Sequence, residues 1–93
     1  MQDIKEMLQG ELISHEVINS LFNVLENWLI DRKEVSLDFQ NLTFISTYFL
    51  EMLEQFVQKA KGLNLKIQIF NVQPQIYKVF QVARSRNILE VCH

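Results

Sequence analysis

An α/β fold, with strands and helices alternating along the chain, is what this sequence predicts, and three observations carry it. Apolar residues recur at every second position in Val35, Leu37 and Phe39 and again in Leu65, Ile67 and Ile69, as they do in strands. Between and around these runs lie stripes at helical spacing, such as Phe49, Leu50, Leu53, Phe56, Val57 and Ala60. The stripes begin and end at residues that start and stop helices: Ser14, Ser46-Thr47, Gly62 and Pro74. Such alternation argues for parallel strands joined by right-handed crossovers, a mainly parallel or mixed sheet with helices packed on it.

The first strand is placed within Ile4 to Ile13, where Ile4, Met7, Leu8, Leu12 and Ile13 are apolar and Gly10 marks a bulge or bend. Ser14 then reads as an N-cap. The helix after it carries Val17, Ile18, Leu21, Phe22, Val24, Leu25, Trp28 and Leu29 as a wide inward stripe. A charged turn, Asp31-Arg32-Lys33-Glu34, leads into the strand Val35 to Phe39. The central helix runs from about Thr47 to Lys61, with Gly62 as its stop and Lys59 and Lys61 in its last turn. After the third strand, Asn71 to Gln73 turns the chain and Pro74 suits the first position of a helix. Ile76, Val79, Phe80 and Ala83 give that helix its inward stripe, and Ile88 to Cys92 forms a short strand or a packed tail.

Composition narrows the function classes. Ninety-three residues, 48% of them hydrophobic, with two glycines and one proline, make one domain spanning 1–93 rather than a linker or a disordered tail. Nine basic residues against eleven acidic ones, with no basic run beyond Arg84-Ser85-Arg86, argue against nucleic-acid binding through a broad electrostatic footprint. No apolar run approaches the roughly 18 residues of a membrane span, so direct membrane insertion is not expected. A single cysteine, Cys92, and the lack of a charged-then-apolar leader fit a reducing, cytoplasmic setting. His15 and His93 stand far apart, and no nucleophile motif, metal-ligand spacing or Gly-rich phosphate loop is present. The expectation is a protein without catalysis, metal or cofactor.

The chemistry concentrates at one junction. An apolar strand breaks off at Ser46 and Thr47, where a helix must begin. A helix start leaves backbone N–H groups unpaired and carries partial positive charge, so a hydroxyl there is favoured as a cap and a phosphate is well tolerated. Ligand and partner surfaces in α/β folds lie beyond the carboxyl ends of strands, which is where Ile45 to Tyr48 falls. Two other features have plain structural readings. Lys78, Arg84 and Arg86 form a small basic patch for an acidic partner or, more simply, cations that offset a helix dipole. Glu51 and Glu54 read as a solvated helix face.

Nearly the whole chain resembles a STAS domain, the module of bacterial anti-sigma factor antagonists and of anion-transporter tails. The resemblance rests on Gly10-Glu11-Leu12, on Leu37-Asp38-Phe39, on Phe44-Ile45-Ser46-Thr47, and on Ile69 to Pro74 followed by Val79-Phe80-Gln81-Val82. In family members regulated by phosphorylation, the residue corresponding to Thr47 is modified by a kinase that doubles as the anti-sigma factor. This chain departs from the pattern at three places. Ser46 stands where the family usually has Asp, removing a charge that would steer a kinase or position magnesium. Phe49 replaces Gly and would obstruct close backbone approach by a partner, and Arg84-Ser85 replaces a Gly-Leu pair.

The resemblance implies a non-catalytic regulatory module. Its partner would be a protein, of which an anti-sigma factor kinase with a histidine-kinase-type ATPase fold is one form. Ser46, Thr47, Tyr48 and Glu51 would make the docking surface, with Thr47, and secondarily Ser46, as the phosphorylation candidates. The alternative is a constitutive accessory or scaffold subunit of a transporter, lipid-transport or signalling complex, or of a homo-oligomer. There Thr47 merely caps its helix, and Tyr48 and Phe49 serve as interface aromatics.

Overall fold

The computed structural model describes the backbone from Asp3 onward and the side chains from Leu8 to His93. Ile4 and Met7, the first apolar positions of the predicted strand, therefore lie outside the described side chains. The elements are β1 (Asp3–Leu12), α1 (His15–Ile30), β2 (Glu34–Ile45), α2 (Thr47–Gly62), β3 (Ile67–Phe70), α3 (Pro74–Val82) and α4 (Arg86–Val91). The sheet has the order β1-β2-β3 and both pairings are parallel, as the alternation of strands and helices predicts.

β2 is much longer than the alternation at Val35 to Phe39 predicts. It gains two residues on β1: Met7 and Gln9 face Asp38 and Asn41, and Gly10 and Glu11 face Leu42 and Phe44. These extra residues reset the strand's faces, so that Val35, Leu37 and Phe39 hand over the buried side to Leu42 and Ile45. Broken alternation hides such a strand from a period-two search. Gly10 has φ +70° beside the second irregularity, where Thr43 Oγ1 donates to its carbonyl at 3.1 Å; of the bulge or bend expected at this glycine, the irregularity is present, but its extra residue is carried by β2.

The described helices pack on one face of the sheet. Phe39 of β2 lies 6.2 Å, ring centre to ring centre, from Phe49 of α2 and 6.4 Å from Phe80 of α3. Phe22 of α1 meets Phe49 at 5.6 Å and Phe56 at 5.9 Å. Each such ring contributes roughly 1.5–3 kcal/mol by leaving water, so this aromatic chain helps tie the helices to β2.

Both long stripes are narrower than predicted. On α1, Ile18, Phe22, Leu25 and Leu29 are buried and Trp28 is half-buried, whereas Val17 is 55% exposed and Val24 47%. On α3 only Ile76 and Phe80 are buried; Val79 and Ala83 face outward. A helix lying on one layer buries a single row, which the apolar count alone overstates.

Helix ends also differ in detail from expectation. Gly62 is the last residue of α2 rather than its left-handed stop; Asn64 takes that conformation at φ 57°. Asn64 and Leu65 donate to the carbonyls of Lys61 and Ala60, closing the helix with paired backbone bonds. α1 and α3 end the same way, with Arg32 and Arg84 in the left-handed position. The C-terminal segment offered as strand or packed tail is chiefly the helix α4. Only Cys92 bridges Ile69 of β3, and His93 N–H donates to the Ile69 carbonyl at 2.8 Å.

Candidate functional site

The carboxyl ends of β1 and β2 lie side by side, because Leu12 pairs with Ile45 and Ser46 N–H donates to the Leu12 carbonyl at 3.0 Å. The N-termini of α1 and α2 therefore rise together from the carboxyl end of the sheet. Ser14 caps α1 by accepting from Val17 N–H at 3.4 Å. Ser46 caps α2 by accepting from Phe49 N–H at 3.1 Å.

This corrects the assignment of roles at the junction. Ser46, not Thr47, is the cap: its hydroxyl is half-buried and engaged. Thr47 is the first helical residue and is exposed, and its side chain makes no hydrogen bond among the described residues. Glu51 is exposed one turn further along, at the i+4 spacing that makes it Thr47's neighbour on the helix surface. Phe49 is fully buried between Phe22 and Phe39. It is neither an obstruction to a partner nor an interface aromatic.

Tyr48 is held from two sides. Its hydroxyl donates to Asn19 Oδ1 of α1, and its ring stacks on His15 with centroids 3.9 Å apart and planes 22° from parallel. Sequence reasoning gave His15 no place in the site and passed over Asn19. The available signal was their i, i+4 spacing, which places both on one flank of α1. Thus Ser46, Thr47, Tyr48 and Glu51 share one surface, and α1 adds His15 and Asn19 to it. No Lys or Arg occurs from Glu34 to Gln58, so the α2 side of this surface carries no cation.

Two further groups sit apart from the junction. Asp38 is buried at the end of the β2–β3 ladder, accepting from Gln40 N–H at 2.9 Å and Asn71 Nδ2 at 3.2 Å. Its role is to fasten the turn after β3. Glu54 is half-buried rather than solvated, accepting from Asn87 Nδ2 at 3.0 Å and so tying α2 to α4. Between α1 and α2 a shallow cleft of about 480 Å³, lined by Asn23, Glu26, Asn27, Ile30 and Lys59, is spanned by the Lys59–Glu26 ion pair. Burial pushes the Cys92 thiol up to about 11 from its ordinary 9.0, so it remains protonated and poorly nucleophilic at neutral pH. Among the described residues no group of three or more His, Cys, Asp or Glu side chains could hold a metal ion, and no helix is long and apolar enough to cross a membrane.

A small parallel α/β module, with a hydroxyl-bearing strand-to-helix junction at the carboxyl end of its central strand and its helices on one face, is the class that these features define. The sequence profile of the STAS domain matches residues 7–92. The chain therefore belongs to the STAS domain family, whose members are in general regulatory modules that mediate protein–protein interactions. No curated protein matches it.

Proposed function

We propose that this chain is a non-catalytic regulatory module of the anti-sigma factor antagonist kind, acting in the cytoplasm as one domain. It docks a protein partner through Ser46, Thr47, Tyr48 and Glu51, and its docking is switched by phosphorylation of Thr47. The observation that carries this reading is the division of labour between the two hydroxyls. Ser46 holds the helix start, which leaves the exposed Thr47 hydroxyl outside the capping bond. A phosphate there adds roughly −1.5 to −2 charge and a hydration shell to a surface that must be desolvated on contact. Glu51 beside it adds like charge, and no Lys or Arg of the junction offsets it. Docking weakens accordingly.

The Tyr48 clamp favours a second reading. A ring fixed by Asn19 and His15 presents a preformed contact whether or not Thr47 is modified, as a constitutive accessory or scaffold subunit requires. Pull-downs from the native host with wild-type and Thr47→Glu baits separate the two. A histidine-kinase-type ATPase captured by wild type and lost by Thr47→Glu supports the switch. A partner retained equally by both baits rejects it in favour of the constitutive subunit.

A further inference from the structure

Charge is distributed unevenly along this chain. Between Glu54 and Glu90 there is no acidic residue, while Lys59, Lys61, Lys66, Lys78, Arg84 and Arg86 all lie in that stretch. Lys59 and Lys61 are taken up by Glu26 and Glu90. Lys78, Arg84 and Arg86 are exposed, and their side chains have no hydrogen-bond or ion-pair partner among the described residues.

The helix dipole does not explain them. α3 has no basic residue in its last turn; Lys78 sits in the middle of the helix. Arg86 is the first residue of α4, where a cation meets the positive end of the dipole. Only Arg84, just past the end of α3, is placed where a dipole rewards it. Arg84 is also held at φ 55°, a conformation that disfavours every side chain and that glycine adopts freely. Arg32 has the same conformation at the end of α1, but its guanidinium donates to the Leu63 carbonyl at 3.3 Å. Arg84 has no such bond among the described residues.

Apolar side chains stand among these cations. Val82, one turn from Lys78, is 74% exposed, and Val79, three positions before Val82 on the same side of α3, is 39% exposed. We propose that the outer side of α3 and the turn into α4, formed by Lys78, Val79, Val82, Arg84 and Arg86, is a docking surface for a protein that presents carboxylates around an apolar contact. The exposed cations select and steer an acidic surface, and Val82 and Val79 supply the part of the contact that leaves water. Strain at Arg84 is tolerated because the guanidinium is used by the partner. This surface lies on elements other than those of the Thr47 junction and stands independently of the switch.

The test follows backbone amide NMR signals of the full chain during titration with a synthetic amphipathic helix whose leucine stripe is flanked by glutamates. The expected result is shifts confined to Tyr77 through Arg86, lost at high salt, with Kd weakened about tenfold by Lys78→Glu or Arg86→Glu. Arg84→Gly is the decisive variant. It should raise Tm by about 2–4 °C, by relieving strain, while weakening the peptide. The proposal is overturned if the peptide shifts nothing or shifts another face, or if Arg84→Gly binds as wild type does. Tighter binding of anionic vesicles or of single-stranded DNA than of the peptide also overturns it, as does sedimentation showing this face occupied by a second copy.

Discussion

At the start of α2 the polar groups are knitted into the fold, whereas at the end of α3 they stand alone. Ser46 Oγ accepts from Phe49 N–H, Ser46 N–H donates to Leu12, and Tyr48 is fixed by Asn19 and His15. Lys78, Arg84 and Arg86 have no comparable bonds among the described residues. Where side chains satisfy one another, substitution costs folding; where they do not, it costs association or nothing. The two regions therefore respond in opposite senses to mutation, and their responses form a graded series.

The largest effect belongs beneath the knitted junction. Phe49→Ala leaves a cavity between Phe22 and Phe39 and should lower stability by about 3–5 kcal/mol in urea unfolding. A loss below about 1 kcal/mol would show that the ring is not the keystone between α1, α2 and β2. Ser46→Ala follows, at about 1 kcal/mol, because Phe49 N–H loses its acceptor. Thr47→Ala, by contrast, should leave stability nearly unchanged. Equal losses at both positions would erase the distinction between cap and free hydroxyl. Tyr48→Phe should cost about 0.5–1.5 kcal/mol through the lost bond to Asn19.

The smallest effects compare the two arginines in left-handed conformation. Arg84→Gly should stabilise, while Arg32→Gly should be close to neutral, since relief of strain is offset by loss of the bond to the Leu63 carbonyl. Identical Tm shifts for the two would mean that Arg84 differs from Arg32 in no way that a docking role explains. Cys92 adds a pH dependence of known sign. Its folded pKa, about 11, lies above its ordinary 9.0, so the folded state holds the proton more tightly. Its contribution to stability is present below pH 9 and is lost as pH rises through 11. Cys92→Ala should flatten that decline in an unfolding series from pH 8 to pH 11.

The alternation of elements, the Ser14 cap, the special backbone conformation at Gly10 and Pro74 at the start of α3 were all legible in the sequence, because each depends on residues within a few positions of one another. So was the placing of Ser46, Thr47, Tyr48 and Glu51 at one strand-to-helix junction. What local pattern could not decide was the division of roles among them. Whether Ser46 or Thr47 caps depends on where the ladder with β1 ends, and that register is set by two irregularities in β2. Whether Phe49 is exposed depends on Phe22 and Phe39, 27 and 10 positions away, as the spacing of their numbers shows. His15 and Asn19 joined Tyr48 only when parallel pairing brought the starts of α1 and α2 together. By itself the sequence determined the kind and order of the elements, since propensity, capping and periodicity act over short range. Only tertiary structure decided which hydroxyl is free and which cations lack partners among the described residues, since both are settled by contacts between elements distant along the chain.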